Sequence, residues 1–523
     1  MANRSAHEAL IAEFRALEDK VRTTSARSEA KFRKRGQLLP RERIEHLIDR
    51  GSAFLELSTL AGLGMHDDDG VENVYGGGNI TGIGFVSAIR CMIFASDSGI
   101  KGGANHPKGV EKAIRAARIA LENKLPLINL VESAGANLLL QAKQFVPGGA
   151  IFALLARLSA AGIPVVSVVN GSSTAGGAYQ TGLADYVVLV RGRSKVFLAG
   201  PPLLRAATGE VADDESLGGA DMHSQVTGLG EYVAEDDGGA IAIVRELFAK
   251  LPWQRDIMPA ADGWSPPLHP VEEILGIVPA DYRRPYDARE LIARIVDGSD
   301  FLDFKADWGI HTVCVHAAIE GQRVGILANN GPIDAAGAAK ATHFIQLSCQ
   351  SGTPLVFLQN TTGFMVGVDA ERSGIVKQGS KLIQAVTNAT VPKLTVQIGA
   401  SFGAGYYAMC GREFGPRFVF SWPSNRLSVM GGEQAAKVLT IISENGARAR
   451  GVEPYAAKLE ASAERVVAAY AHESTALFAT ARLWDDGLID PRDTRSLLAF
   501  CLATCAEADR RGLRPNTFGV ARI

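Results

Sequence analysis

Two glycine-rich stretches hold residue types that can do chemistry without a reactive side chain. The first is Gly171-Ser172-Ser173-Thr174-Ala175-Gly176-Gly177-Ala178-Tyr179, behind the apolar run at 165–169. The second is Gly399-Ala400-Ser401-Phe402-Gly403-Ala404-Gly405-Tyr406-Tyr407, behind residues 393–398. Each reads as a buried strand, a tight turn without bulky side chains, and a helix start. Such a turn aims backbone N–H groups at whatever lies above it, which is how proteins hold a developing negative charge. Two more glycine-bearing strand ends, Lys101-Gly102-Gly103-Ala104 and Glu132-Ser133-Ala134-Gly135-Ala136, could converge on the first turn. Missing side chains admit a ligand carbonyl, and two N–H groups about 3 Å from its oxygen form an oxyanion hole. One isolated Gly-Gly pair would mean only close helix-to-strand packing. A duplicated set at fixed spacing points to function.

The spacing is that of an internal duplication. An offset of 228 pairs Gly103 with Gly331, Lys112 with Lys340, Pro126 with Pro354, Gly135 with Gly363, Pro164 with Pro392 and Gly177 with Gly405. Gly and Pro mark backbone geometry, so the coincidence implies two copies of one domain. Upstream the offset is 247, pairing the helix-and-strand pattern that ends at Leu57 with the one that ends at Phe304. The first copy therefore carries an insertion, expected as a surface loop from Asp67 to Gly78. Alternating helices and continuous apolar strands predict α/β layering with the turns at strand C-termini. The expected organisation is a helical segment at 1–50, a first domain at 51–270 and a second at 271–523, joined near the Pro-rich stretch 252–270.

Composition supports a large globular protein. The 523 residues are 47% apolar and 21% charged with net charge −2, which makes nucleic acid a poor partner. The six Cys form no C-x-x-C pair, against a zinc ribbon or a disulfide framework, and no metal is expected. There is no continuous apolar run of 18 residues, so no membrane partner is expected and the chain is placed in the cytoplasm, or the mitochondrial matrix if the source is eukaryotic. G-x-S-x-G, H-E-x-x-H, the P-loop and the dinucleotide fingerprint are all missing, and no nucleophile stands out. His106, His223, His316 and His343 read as structural. What remains is backbone stabilisation of an enolate, with the base supplied by a cofactor or the substrate.

Longer motifs narrow the field. They are Phe197-Leu198-Ala199-Gly200-Pro201-Pro202-Leu203, Ala206-Ala207-Thr208-Gly209-Glu210, Gly218-Gly219-Ala220-Asp221, Gln359-Asn360-Thr361-Thr362-Gly363-Phe364-Met365-Val366-Gly367 and the segment from Trp422 to Ala436. From about Gln37 to the C-terminus the chain resembles the carboxyltransferase β subunits of biotin-dependent acyl-CoA carboxylases. The resemblance implies an α/β fold of two tandem crotonase-like (ClpP/crotonase superfamily) domains related by duplication. It also implies a homo-oligomer, a β6 core of an α6β6 complex, whose α subunit carries biotin carboxylase and the biotinyl lysine. In such a complex the first domain of one subunit faces the second domain of another. This chain lacks an Ala-Met-Lys-Met motif, so biotin must arrive on that partner.

Carried over residue by residue, Gly176 and Gly177 would hold the enolate of the acyl-CoA, and Ala404 and Gly405 the ureido oxygen of biotin. Lys101, Gly103, Ala104, Gly135, Ala136, Gly148 and Tyr179 fall on the coenzyme A thioester side, with Lys101 placed to neutralise a CoA phosphate. Thr362, Gly363, Phe364, Tyr406 and Tyr407 fall on the biotin side. In the implied mechanism carboxybiotin releases CO₂ in the closed site, the biotin anion removes the substrate proton, and a vinylogous enolate attacks CO₂. Tyr407, the 360–367 motif and the Trp422 segment point to the methylcrotonyl/geranyl branch. Methylcrotonyl members have a Phe closing the acyl pocket ahead of the helix that leads to the first turn. Here that position is Gly148, which favours geranyl-CoA on pocket volume. A methylcrotonyl-CoA subunit is the alternative; a biotin-dependent decarboxylase subunit and an idle acyl-CoA-binding subunit are more distant ones.

Overall fold

The structure, a computed structural model, describes residues 2–65, 74–253, 263–453 and 455–520. Two compact units divide the chain. One holds residues 16–253 with 481–483 and 506–520; the other holds 2–15, 263–480 and 484–505. The helical segment expected at 1–50 is thus shared between the units, as are the last residues.

Among the described residues the N-terminal unit contains ten strands: β1 (Leu55–Leu57), β2 (Asn79–Val86), β3 (Ile89–Ser96), β4 (Ala104–Asn105), β5 (Leu127–Ser133), β6 (Gly135–Ala136), β7 (Val165–Thr174), β8 (Tyr186–Val190), β9 (Lys195–Phe197) and β10 (Tyr232–Ala234). Eight of them form one sheet in the order β1-β2-β3-β5-β7-β8-β10, with β9 on the far part of β7. The hairpin β2–β3 is antiparallel and the pairs from β3 onward are parallel. Strands buried on both faces need continuous apolar sequence, and Val165, Val166, Val168 and Val169 are fully buried. Each such side chain contributes about 1.5–3 kcal/mol by leaving water.

The C-terminal unit repeats this plan with β11 (Phe301–Asp303), β12 (Thr312–Ile319), β13 (Gln322–Asn329), β14 (Leu355–Thr361), β15 (Lys393–Phe402), β16 (Phe418–Ser421) and β17 (Arg426–Ser428). Their order is β11-β12-β13-β14-β15-β16, with β17 on β15. The register repeats as well: Leu127 faces Val165 and Ser133 faces Ser173, while Leu355 faces Lys393 and Thr361 faces Ser401. The two-stranded pair β4–β6, which sets Asn105 against Ala136, survives in the second copy as the single bridge between Ile333 and Phe364. The duplication read at an offset of 228 is therefore a duplication of fold.

α1 (Ala2–Thr24) is divided between the two units, and five helices of the first unit matter for the site: α2 (Glu29–Lys34), α3 (Pro40–Leu47), α4 (Pro107–Glu122), α5 (Gln141–Ala160) and α6 (Gly176–Gly182). α4 starts on Pro107, whose missing N–H costs nothing at a first helical position, and buries Val110, Ile114 and Ala117 at helical spacing. α5 begins nine residues before the expected Ala150 and carries Pro147 inside it, so Gly148 lies within this helix rather than ahead of it. The 23 residues Leu138–Ala160 are long and apolar enough to cross a membrane by those criteria alone. The stretch includes Lys143 and Arg157; its second half buries Ile151, Leu154, Leu155 and Leu158 in the domain, while Leu138, Leu139, Phe145 and Val146 in its first half are exposed.

Asp67–Gly70 lies outside the described residues. Gly76 and Gly77, expected on a surface loop, are buried, and a Cβ on Gly77 would stand 2.9 Å from the Gly109 backbone of α4. That close approach is what these glycines permit.

Candidate active site

Both glycine turns differ from the reading of strand, loop and helix. β7 and β15 continue through most of the glycine-rich sequence, because β9 and β17 pair with their last residues. A single residue then reverses the chain into the helix. In the first copy this is Ala175, at φ 54° and ψ −115°, and in the second it is Gly403, at φ 55°. Ala175 N donates to Phe197 O at 3.1 Å, which holds the turn to β9. A positive φ is costly for an L side chain, so Ala175 stores strain that Gly403 avoids. Helix starts follow at Gly176 and at Gly403, and first-turn N–H groups have no partner within their own helix.

Around the first turn the predicted strand ends do converge. Ala104 pairs with Gly135 and Asn105 with Ala136 in parallel, and Ala134 N donates to Gly103 O at 3.2 Å. Lys101, Gly102 and Gly103 all have positive φ, and a Cβ on Gly103 would collide with Glu132 O. A Cβ on Gly135 would lie 3.4 Å from Thr174 O and 3.7 Å from Ala175 Cβ, so this strand end abuts the turn itself. Gly177 is buried beside Ser133 and Ser173, with 3.5 Å to spare for an added Cβ. Tyr179 is half exposed and meets the ring of Phe152 edge-on at 6.3 Å. Phe152, one turn after Gly148 on α5, also stands 3.4 Å from a Cβ position on Gly176. A Cβ on Gly148 would meet only Val110 Cγ1, at 3.9 Å.

Beneath this turn lies an ionised cluster. Arg43, fully buried on α3, donates from Nη1 to Glu132 Oε2 at 2.8 Å and from Nε to Asp237 Oδ2 at 3.1 Å. Asn170 Nδ2 donates to the other Asp237 oxygen at 3.0 Å. Gly171 is a glycine because Glu132 Cγ occupies the space where its Cβ would go, 2.7 Å away.

The second turn is built on neutral groups. Asn360, at the position of Glu132, accepts from Ala400 N at 2.8 Å through Oδ1 and bonds to the Tyr286 hydroxyl. Gln359 Nε2 donates to Tyr406 O at 3.0 Å, and Ser401 Oγ lies 3.1 Å from Gln359 Oε1 and 3.0 Å from Asn425 Oδ1. Gly405 is pressed onto the other strand end: an added Cβ would stand 2.8 Å from Gly363 Cα. Gly363 itself has φ 120°.

A cavity of about 640 Å³ opens beside this turn, lined by Gly403, Ala404, Tyr406, Tyr407, Tyr470 and Trp484 among others. A second, of about 500 Å³, includes Thr362, Phe402 and Tyr282. Spaces of this size with aromatic walls and backbone donors suit a small bicyclic cofactor such as the ureido ring system of biotin. Tyr407 is half exposed at the first cavity. The Tyr406 hydroxyl is turned away, accepting from Arg412 N at 2.8 Å, and burial pushes it up to about 12. Phe364 is half-buried, packed against the core with its ring 3.0 Å from a Cβ position on Gly379.

The histidines behave as expected. His106 bonds Ala104 O at 2.9 Å and Asn137 at 3.2 Å, and His223 bonds Val196 O at 2.7 Å and Thr227 at 2.9 Å. Their ring nitrogens are occupied with structure. Among the described residues there is no group of His, Cys, Asp and Glu arranged to hold a metal. Sequence reasoning missed Ala175, Phe152 and Arg43. A strained alanine, an aromatic in an apolar helix and a basic residue in an amphipathic helix carry no local signal.

Residues 31–518 match the carboxyl transferase domain family. The chain belongs to that family. It is 50% identical over 490 residues to a probable biotin-dependent acyl-coenzyme A carboxylase beta2 subunit of Mycobacterium tuberculosis, covering 94% of this chain and 91% of the relative. It is 48% identical to a mitochondrial methylcrotonoyl-CoA carboxylase beta chain of Dictyostelium discoideum, covering 94% of this chain and 83% of the relative. The crystal structure of the β subunit of P. aeruginosa geranyl-CoA carboxylase superposes with a TM-score of 0.93 at 54% identity, covering 100% of this chain and 97% of that one. The class expected from the motifs, a carboxyltransferase β subunit of biotin-dependent acyl-CoA carboxylases, stands.

Proposed function

We propose that this subunit carboxylates the γ-carbon of geranyl-CoA. The observation that carries the proposal is the open face of α5 at Gly148. No side chain lies nearer to its Cβ position than Val110, at 3.9 Å, so the space beside Gly148 is open among the described residues of this subunit. A ten-carbon chain needs such space, and a Phe at 148 would occupy it. The likeness to the P. aeruginosa geranyl-CoA enzyme supports the same reading.

In this proposal the first turn holds the thioester oxygen. As the proton leaves the γ-carbon, charge grows on that oxygen, and the N–H groups of Gly176 and Gly177 meet it without reorganising; one such donor is typically worth about 3 kcal/mol. Gly103, Ala104, Gly135 and Ala136 leave the backbone bare where the thioester approaches. Biotin, delivered by the α subunit, supplies the carboxyl group and the base. The N–H groups of Ala404 and Gly405 orient its ureido oxygen, with Tyr407 walling the cavity and Thr362 and Gly363 shaping the neighbouring strand end. Only groups aimed at the charge of the transition state accelerate the step, and both turns are of that kind. We further propose a β6 core within an α6β6 holoenzyme, located in the cytoplasm or the mitochondrial matrix according to source.

The test is Gly148→Phe in the reconstituted holoenzyme, comparing kcat/KM for geranyl-CoA and methylcrotonyl-CoA. Preference should move toward the five-carbon substrate by roughly 10–200-fold, the range a few methylenes in an apolar pocket command. An unchanged ratio, or wild-type enzyme inert toward geranyl-CoA, would overturn the proposal.

A further inference from the structure

Residues 25–37 are the most basic stretch at the N-terminal unit's site, holding the five cations Arg27, Lys31, Arg33, Lys34 and Arg35 against the single carboxylate of Glu29. Their counterparts at the offset of 247, residues 272–284, hold two cations and three carboxylates. The duplication therefore kept the fold and changed the charge of this segment in one copy.

The segment is anchored where the site is built. Ser25 Oγ donates to Asp97, and Ser28 Oγ to Gly99 O at 3.2 Å, just ahead of the Lys101–Gly103 turn. The buried ring of Phe32 lies under the Arg43 guanidinium at 5.8 Å, and Arg43 in turn holds Glu132 beside Ser133. Gln37 Nε2 donates to Asn170 O, on β7, at 2.7 Å. These contacts fix α2 along the C-terminal portions of β3, β5 and β7, whose ends carry Lys101, Gly135 and Gly176. Arg33 is spent on Glu29 and Glu42. Arg27, Lys31, Lys34 and Arg35 are exposed and, among the described residues, form no ion pair. Four uncompensated cations held against a rigid site edge make a local positive field that attracts a polyanion.

We propose that Arg27, Lys31, Lys34 and Arg35 form the binding patch for the phosphates of the nucleotide end of the acyl-CoA thioester. This rests on the reading of the first unit as the acyl-CoA side. It adds a reason for the charge asymmetry: the thioester substrate carries phosphates and the biotin ring system carries none. Lys101, at the junction between patch and turn, belongs to the same path.

The experiment uses the reconstituted holoenzyme with three forms of one acyl group: its CoA thioester, its 3′-dephospho-CoA thioester and its pantetheine thioester. Lys31→Glu/Lys34→Glu should raise KM for the CoA thioester by about ten-fold or more, with kcat within about two-fold, and the effect should shrink at high salt. The penalty should be smaller for the dephospho substrate and absent for the pantetheine thioester. Arg118→Glu, which reverses an exposed cation on α4, should leave all three unchanged. An equal rise for all three thioesters would mean a structural role and overturn the proposal, as would an unchanged KM for the CoA thioester. A fall in kcat at saturating thioester would assign the patch to the biotin-carrying partner and overturn it too. Failure of the chain-length proposal reads out separately, in the geranyl-to-methylcrotonyl ratio, which this double variant should not move.

Discussion

The two turns share a sequence pattern, a register and a backbone path, yet they are supported in opposite ways. Beneath the first lies a buried ion cluster of Arg43, Glu132 and Asp237; beneath the second lie the amides and hydroxyls of Asn360, Gln359, Gln397, Ser401 and Asn425. The first turn bends at a strained alanine and leaves room behind Gly177, whereas the second bends at a glycine and leaves none behind Gly405. Duplication thus preserved the backbone path of the turns and left the means of holding them free to diverge.

The sharpest way to break this comparison is to add one methyl to each turn. Gly405→Ala drives a Cβ into the Gly363 backbone, which cannot rotate away, and should lower carboxylation by about 10²-fold or more by displacing a donor of the kind worth about 3 kcal/mol. Gly177→Ala meets its neighbours at 3.5 Å and should cost less than about ten-fold, while Gly177→Val, whose branch overfills the same space, should abolish turnover and leave assembly intact. Equal losses for the two alanine variants would refute the difference in packing.

Removing one partner from each support comes next. Arg43→Met leaves Glu132 buried without its cation and Asp237 with only Arg193, at 3.8 Å, and should cost about 3–5 kcal/mol in thermal or denaturant unfolding. Asn360→Ala leaves the Ala400 N–H short of its acceptor and should cost about 1–3 kcal/mol.

The paired lysines sharpen the point. Lys112 Nζ donates to Gly76 O at 3.1 Å and Asn79 O at 2.8 Å, and burial, opposed by Glu56, brings it down to about 8. Lys340 is equally buried, its Nζ has no hydrogen-bond partner among the described residues, and burial lowers it too. Lys112→Met should destabilise by about 1–3 kcal/mol, and Lys340→Met should be neutral or stabilising. Because Lys112 loses its proton more readily folded than unfolded, the unfolded chain binds more protons between about pH 8 and pH 10.5, and stability gains from this group as pH rises through that window. Lys112→Met should remove that gain in pH-dependent unfolding.

The smallest expected effects lie at the bends. Ala175→Gly should stabilise by about 1 kcal/mol by releasing positive-φ strain, and Gly403→Ala should destabilise by about 1–2 kcal/mol, with Val429 O 3.0 Å from the new Cβ. Melting curves of the two variants should shift in opposite directions.

Much of this was legible in the sequence because glycine and proline report backbone geometry directly. Gly103, Gly135, Gly177 and their partners at 331, 363 and 405 gave the duplication, and the strand ends they mark do meet in β4 and β6. Extents were less legible. Gly171 to Ser173 has little intrinsic strand preference and joins β7 because β9 pairs with Ser172 to Thr174 and β5 meets Ser173, while Pro147-Gly148-Gly149 looks like a helix stop but continues α5. Gly379 and Gly411 leave open the space that the rings of Phe364 and Tyr406 occupy, a packing relation that no local pattern announces.

By itself, then, the sequence determined the repeated domain, the two donor turns and the family, since these depend on local backbone freedom and on motifs of contiguous residues. The tertiary structure alone decided which glycine is wedged and which has room, and that Glu132 is paired with Arg43 from a helix about ninety residues earlier. Those outcomes depend on which distant residues share a few ångströms of space, and no local pattern encodes that distance.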